Sequence, residues 1–201
     1  MILTEDLRDA LVELINISFG SATASIAELF DSFATLHIPD IEIIDVLSIK
    51  DKILRYHDFD EIHLVVQNFN GEFSGDILFA VTGENSKKIK NIVFDEPDST
   101  DFAEEDINES LLEISNILGV TCVGKFAELL SSELIFRPPY IKFGKVDNIL
   151  LNINKQYEKV IFIDTVLEFK ELNIQSNLFI LMTGKSFIWL ENSLNKFLED
   201  F

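Results

Sequence analysis

Three polar side chains in the first hundred residues are spaced so that they share one side of a helix. Asp9, Glu13 and Asn16 are separated by four and three positions, and at about 100° per residue they fall within about 60° of arc. Carboxylates carry charge and accept hydrogen bonds, whereas an amide donates and accepts them without charge. The face is therefore either equipped for polar chemistry or is the solvated side of an amphipathic helix.

The same polar pattern recurs 100 residues further along the chain, at Glu109, Glu113 and Asn116. The flanking residues differ between the two copies, whereas Glu-x-x-Asn is retained in both. Asparagine costs about 0.7 kcal/mol relative to alanine inside a helix, and Lys, Gln or Glu would serve a solvated face at lower cost. The repetition therefore favours a functional face over a merely solvated one.

The segments that carry these faces belong to a longer internal repeat. The aligned pairs, at offsets of 100, 100 and 101, are 10–20 with 110–120, Pro39 with Pro139, and 77–83 with 178–184. A period of this length exceeds that of solenoid repeats, which run about 20–50 residues. We therefore predict a single domain with pseudo-twofold symmetry, made of repeat 1 (1–100) and repeat 2 (101–201).

Hydrophobic periodicity and turn residues predict the same kinds of element in both halves. The predicted elements of the first half are helix 5–33, strand 41–49, a hairpin of strands 62–69 and 73–82, and helix 83–94. Those of the second half are helix 104–133, strands 140–146, 149–153, 159–169 and 174–183, and helix 186–201. The predicted fold class is α+β, with an antiparallel-rich sheet and two long helices that carry the polar faces. We expect each half to bury its sheet against the sheet of the other half.

The charge of the chain excludes several classes of partner. Its 201 residues include 16 basic and 35 acidic side chains, for a formal net charge of −19. Such a surface repels nucleic-acid phosphates and anionic lipids, so we expect neither nucleic-acid binding nor membrane insertion. Because 47% of the residues are hydrophobic, the chain is not a disordered acidic tail.

Metal and disulfide chemistry is not expected from the residues available. Cys122 is the only cysteine, so an intramolecular disulfide and a cysteine-based zinc site are both excluded; we expect its side chain to be buried as a small hydrophobe. His37, His57 and His63 show no metal-ligand spacing on any predicted element. The sequence therefore predicts no metal site.

The beginning of the chain and its apolar runs favour a cytoplasmic protein. The first residues, MILTEDLRD, have neither the basic nor the apolar region of a signal peptide. No apolar run approaches the roughly 20 residues of a membrane-spanning helix.

The doubled motif resembles the D-x3-E-x2-N-x22-P signature of the CheC/CheX/FliY phosphatases of bacterial chemotaxis. The first half reads Asp9-x3-Glu13-x2-Asn16-x22-Pro39. The second half reads Glu109-x3-Glu113-x2-Asn116-x22-Pro139. The length, the two motifs and the absence of an added flagellar-switch domain resemble CheC more than the other two.

This resemblance implies a phosphatase that removes the aspartyl phosphate of the response regulator CheY. In such an enzyme Asn16 and Asn116 would orient the hydrolytic water, and Glu13 and Glu113 would each contact an active-site lysine of the regulator. No cofactor of its own is expected, because the regulator's own acidic residues hold the Mg²⁺.

The remaining motif residues have lesser roles under the same resemblance. Asp9 and Glu109 would support the catalytic pair of their half. Pro39 and Pro139 are expected to be structural, since proline ends the helical segment and sets the entry of the next strand.

A second partner and two other functions stay open. CheC-like proteins pair with the receptor deamidase CheD, and Phe187 and Trp189 near the chain end are either packing residues or part of a partner surface. The alternatives to a phosphatase are a non-catalytic module that binds phosphorylated CheY or CheD, and an acidic structural dimer. Glu109, one methylene longer than aspartate, and Phe19, which we expect to crowd an approaching partner, motivate the binding module.

Overall fold

The structure is a computed structural model that describes residues 3–29, 34–55, 61–96, 99–150, 157–169 and 172–199. The α-helices in these ranges are α1 (Glu5–Leu29), α2 (Ile49–Arg55), α3 (Gly83–Val93), α4 (Glu104–Ile117), α5 (Gly124–Leu129), α6 (Val146–Leu150) and α7 (Gly184–Glu199). The strands are β1 (Ala34–Asp45), β2 (Glu61–Gly71), β3 (Gly75–Thr82), β4 (Leu134–Phe136), β5 (Tyr140–Lys145), β6 (Lys159–Phe169) and β7 (Leu172–Met182).

In the described ranges these strands form one seven-stranded sheet. Its order is β1-β6-β7-β3-β2-β4, and β5 also pairs with β2. Every pairing is antiparallel, so the prediction of an α+β fold with an antiparallel sheet is confirmed.

The two halves meet edge to edge, which corrects one expectation. The hairpin β2–β3 lies beside the hairpin β6–β7 because β3 pairs with β7, from Gly75 opposite Met182 to Ala80 opposite Asn177. The expectation that one half would bury its sheet against the other's is therefore wrong. Hydrogen bonding between two central strands takes the place of the predicted sheet-on-sheet packing.

The order of elements is the same in the two halves apart from β4. A helix, a strand, a short helix, a hairpin and a helix follow one another up to Val93, and the same series runs from Glu104 onwards. With β5 as the partner of β2, the sheet order is β1-β6-β7-β3-β2-β5. If β1 is exchanged with β5, β2 with β6 and β3 with β7, the same order is obtained from the opposite edge. This order agrees with pseudo-twofold symmetry. The sequence duplication itself and the single domain of repeats 1–100 and 101–201 stay predictions.

The long helices lie on one face of the sheet and bury their apolar sides there. Buried residues recur every three or four positions along α1, as the predicted periodicity requires: Leu7, Leu11, Leu14, Ser18, Ala22 and Ile26. The apolar ones share a core with residues from α3, α4, α5 and α7. Each fully buried Leu or Ile side chain stabilises the fold by roughly 1.5–3 kcal/mol.

The second face of the sheet is covered by short helices that the sequence analysis missed. The predicted strand 41–49 is wrong at its end, because β1 stops at Asp45 and a 3₁₀ turn then leads into α2. Val46, Ile49 and Ile53 are buried on this face, and their spacing of three and four positions suits a helix. The predicted strand 149–153 is likewise wrong at its start, which lies in α6; its remaining residues lie outside the described ranges.

The two motif prolines lie at different kinds of strand position. Pro139 directly precedes β5, ten residues after the end of α5; its structural role stays a prediction. Pro39 lies inside β1, an edge strand, where the register with β6 shifts between His37 and Asp40. Proline has no N–H to give to a ladder and is tolerated at edges and irregularities.

Two helical stretches, Glu5–Glu28 and Glu104–Leu129, reach the length and apolar content of a membrane-spanning helix. This differs from the expectation that no segment has the length of a membrane-spanning helix, which considered only uninterrupted apolar runs. Both stretches contribute buried side chains to the core beneath the sheet, and core helices of soluble proteins commonly have this composition. Their apolar content is therefore explained by packing within the fold.

Candidate functional site

Helix α4 presents the second polar face outward because its opposite side is buried. The buried residues of α4 are Ile107, Ser110, Leu111, Ile114 and Ser115. Glu109 and Glu113 are exposed and Asn116 is half-buried. Side chains three positions apart on a helix have Cβ atoms about 5–6 Å from each other, so Glu113 and Asn116 can act on one bound group.

All four motif residues of the second half line one open groove. The groove has a volume of about 750 Å³ and includes Glu109, Glu113, Asn116 and Pro139 in its walls. The other lining residues are Glu105, Asn108, Leu112 and Pro138. The structure thus brings together the second set of predicted site residues, including the proline 22 positions beyond the asparagine.

The amide of Asn116 is held by a buried glutamine from the sheet. Gln67 on β2 is 1% exposed, and its Nε2 donates to Oδ1 of Asn116 at 2.9 Å. The same Nε2 donates to the backbone carbonyl oxygen of Arg137 at 3.2 Å. A carbonyl oxygen can only accept, so the Arg137 contact determines which end of the Gln67 amide faces Asn116.

Gly119 leaves the space that Gln67 occupies. A Cβ atom at Gly119 would lie 2.5 Å from Gln67 Oε1, so any larger residue there would force the Gln67 amide to shift. Gly119 belongs to a π-helical turn, Leu118–Val123, which follows α4 directly. π-Helical turns within α-helices frequently occur at functional sites.

The first-half motif is arranged differently. Asp9 and Glu13 line another open groove, of about 660 Å³, whose other walls are Asp6, Ala10, Ile17, Phe197 and Leu198. Asn16 is exposed on α1 but is not one of the described residues that line this groove. The structure therefore places Asp9 and Glu13 on one groove, without Asn16.

Phe19 does not crowd this face. It is 3% exposed and packs in the core between the helices and the sheet. The expectation that Phe19 would obstruct an approaching partner is wrong, because its side chain is on the inward side of α1.

The titratable residues that line the two grooves are acidic. They are Glu105, Glu109 and Glu113 in the second half and Asp6, Asp9 and Glu13 in the first. A rim of this sign favours a cationic group on a partner, such as a lysine ammonium. Tyr140 follows Pro139, which lines the groove of the second half. Burial and the nearby Asp76 carboxylate raise the pKa of Tyr140.

Other residues singled out in the sequence have structural surroundings. Cys122 is buried, as predicted, and burial raises the pKa of its thiol. Phe187 is buried, and Trp189 stacks on Phe73 with ring centroids 4.4 Å apart, which favours packing over a partner surface. His57 lies outside the described residues. Among those residues, no three His, Cys, Asp or Glu side chains gather as metal ligands would.

No protein-family model matches the chain, whereas solved structures match it over nearly its whole length. FliY from Thermotoga maritima superposes with a TM-score of 0.72 at 17% sequence identity, covering 98% of this chain and 99% of that one. A chain of the FliG–FliM complex from H. pylori gives 0.67 at 8% identity, covering 94% and 100%. A chain of the CheX–CheY–BeF3–Mg complex from Borrelia burgdorferi gives 0.51 at 14%, covering 85% and 97%. The chain has the FliY-type fold.

The resemblance drawn from the doubled motif is confirmed at the level of this FliY-type fold. At such low identities the match shows the fold alone, so the roles of Asn16, Asn116, Glu13 and Glu113 stay predictions.

Gln67 is the residue of the candidate site that the sequence analysis missed. It lies on the helix-facing side of β2 between Val65 and Phe69, both of which are buried. A glutamine in an apolar alternation is the signal that could have marked it, because buried polar groups need partners. Which partner it meets depends on the packing of α4 on β2, which the sequence does not show.

Proposed function

We propose that the chain dephosphorylates the aspartyl phosphate of a CheY-type response regulator by positioning a hydrolytic water. The observation that supports this most is the groove on which Glu109, Glu113, Asn116 and Pro139 meet. A chain of the same fold occurs with CheY, BeF3 and Mg in one complex. The fold and the groove together therefore suit a partner of the receiver class.

The proposed chemistry asks little of this chain. An aspartyl phosphate is already activated, and the element still missing is a water aligned with the bond that breaks. Asn116 would supply an uncharged amide for that water, and Glu113 would contact a lysine of the regulator one helical turn earlier. A 100-fold acceleration needs a barrier lower by only about 2.7 kcal/mol.

The first-half site has the same spacing but lacks a side chain that holds its asparagine. Glu13 and Asn16 keep the same helical spacing and are both exposed, with Asp9 on the same face. No described side chain hydrogen-bonds Asn16, whereas Asn116 is held by Gln67. We propose that the second site contributes most of the turnover and that the first contributes less.

Cofactor and location follow from the proposed partner. The regulator would bring its own Mg²⁺, so we propose no resident cofactor. We also place the protein in the cytoplasm, where receiver domains act. Binding to CheD stays a prediction of the resemblance.

The test is the decay of a phosphorylated receiver with and without this protein. We expect the native chain to accelerate loss of the acyl phosphate at least about tenfold. The variant Glu13→Ala/Asn16→Ala/Glu113→Ala/Asn116→Ala should return the decay to its spontaneous rate, because both amides and both anchoring carboxylates are absent.

A matched control separates this loss from a general effect of removing helical Glu and Asn. Glu191→Ala/Asn195→Ala removes one of each from α7, where Asn195 Nδ2 donates to the backbone oxygen of Glu191. The control should keep the native rate. A native chain that leaves the spontaneous rate unchanged contradicts the phosphatase proposal.

A second candidate function is a binding module without turnover. Its supporting observation is the first-half groove, where Ile17 and Leu198 are 42% and 40% exposed beside Asp9 and Glu13. Exposed apolar residues in a groove are typical of interaction sites, and FliM in the FliG–FliM complex is a precedent for this fold in an assembly. Titration with a beryllofluoride-activated receiver should then show binding with no acceleration of phosphate loss.

A further inference from the structure

The two motif asparagines differ in what holds them. Gln67 on β2, which pairs with Ile77 on β3, donates to Asn116. No described side chain makes such a hydrogen bond to Asn16.

The residue three positions after each asparagine also differs. Gly119 follows Asn116 and leaves space for the Gln67 side chain, whereas Phe19 follows Asn16 and is itself buried. A side chain as large as phenylalanine at position 119 would take the space of the Gln67 amide.

Gln67 is not explained by stability alone. Its Oε1 is buried with no hydrogen-bond partner among the described residues, and an unsatisfied buried acceptor is destabilising. An aliphatic residue at this position would avoid that cost. What Gln67 does provide is a donor, Nε2, for Asn116 Oδ1 and the Arg137 carbonyl oxygen.

We propose that Gln67 is a positioning residue that holds the Asn116 amide with its Nδ2 group toward the groove. The backbone carbonyl oxygen of Arg137 accepts from Nε2 of Gln67 and so orients the Gln67 amide. The same Nε2 donates to Oδ1 of Asn116. The Nδ2 group of Asn116 is then on the opposite side of its planar amide. Asn116 then meets a water or a phosphoryl oxygen as a donor. This inference rests on the proposed phosphatase function and specifies which of the two sites is pre-organised for it.

The test measures kcat and KM for a phosphorylated receiver in Gln67→Leu, with Gln175→Leu on β7 as the matched control. We expect kcat to fall roughly tenfold with KM within about twofold of native, because Gln67 orients Asn116 and does not contact the substrate. The midpoint of thermal unfolding should stay within a few °C or rise, since the orphaned acceptor is removed. Gln175→Leu should keep the native kcat.

A double-mutant cycle with Gly119→Ala connects the effect to the geometry. Alone, Gly119→Ala should lower kcat about as much as Gln67→Leu, because the new Cβ displaces Oε1. In the Gln67→Leu background it should change kcat less than about twofold, since the group it displaces is no longer there. Effects that multiply in the double variant overturn the proposal.

A readout that needs no turnover is the exchange of side-chain amide protons with water, followed by NMR. The Gln67 NH₂ protons should be protected in the native chain and lose that protection in Gly119→Ala. Exchange as fast as that of an exposed amide overturns the proposed contact. A native kcat in Gln67→Leu overturns this inference alone, whereas a native chain without any acceleration overturns the phosphatase function and this inference with it.

Discussion

At the scale of single residues, the two motif asparagines share a sequence context but not a structural one. Helical periodicity is sufficient to predict that Asn16 and Asn116 face outward with a glutamate one turn earlier. It does not predict the hydrogen bond from Gln67, which lies 49 positions away from Asn116 in sequence. That contact depends on the register of β2 and on the packing of α4 above it.

His63 gives a prediction for the pH dependence of stability. It is buried next to Phe143, with ring centroids 4.5 Å apart, and burial lowers its pKa from 6.5 to about 4. Between these values the unfolded chain binds a proton that the folded chain does not, so stability falls as the pH drops from 6.5 toward 4. The loss from this group between pH 7 and pH 5 should be about 2 kcal/mol.

The measurement is urea unfolding of the native chain and of His63→Leu at both pH values. The variant should lose about 2 kcal/mol less than the native chain between the two values, while the carboxylates contribute alike in both. An equal loss in the two proteins would show that His63 is not held neutral by the fold.

At the scale of elements, the segments with a clear period were predicted and those without it were not. The long helices, the two hairpins and the closing helix follow from helical spacing and from alternation with turn residues. The short helices α2 and α6 were not predicted: strand 41–49 was expected to run one residue into α2, and strands 140–146 and 149–153 were expected to overlap the two ends of α6. Five to seven residues span too few turns to show a helical period. The π-helical turn at Leu118–Val123 has no counterpart in any propensity rule.

Two glycines in these elements should respond oppositely to the same substitution. Gly20 is exposed inside α1, and a Cβ there would meet nothing within 4 Å. Gly20→Ala should therefore stabilise the protein by about 0.5–1 kcal/mol through lower chain entropy in the unfolded state. Gly75 lies in β3, where a Cβ would be 2.0 Å from the backbone oxygen of Leu181, so Gly75→Ala should destabilise it by about 3 kcal/mol.

Chemical denaturation of both variants checks these values against the native chain. If Gly20→Ala lowers the unfolding free energy, the backbone of α1 near Asn16 is not a regular helix. If Gly75→Ala is neutral, β3 and β7 do not approach each other as the shared sheet requires.

At the scale of the whole molecule, the sequence repeat predicts the symmetry of the element order but not how the halves join. Hydrophobic patterns show which strand faces are buried, but they do not show which strand edges pair with each other. The pairing of β3 with β7 makes one sheet with the long helices on one face. The faces of α1 and α4 that carry the motifs are left outward.

The net charge of −19 predicts how salt affects receiver binding. A lysine of the receiver would be attracted to Glu113, while the acidic surfaces of the two proteins repel each other over longer distances. Because salt screens both effects, we expect the dissociation constant for a beryllofluoride-activated receiver to change only modestly with added salt. A titration series in which binding weakens steeply as salt is added would contradict this balance.

The most direct test of the central claim is the rate of acyl-phosphate loss from a phosphorylated receiver with the native chain and with one variant for each site. We predict acceleration by the native chain, loss of most of it in Glu113→Ala/Asn116→Ala, and retention of most of it in Glu13→Ala/Asn16→Ala. A spontaneous rate with the native chain, or full acceleration by Glu113→Ala/Asn116→Ala, would contradict the account.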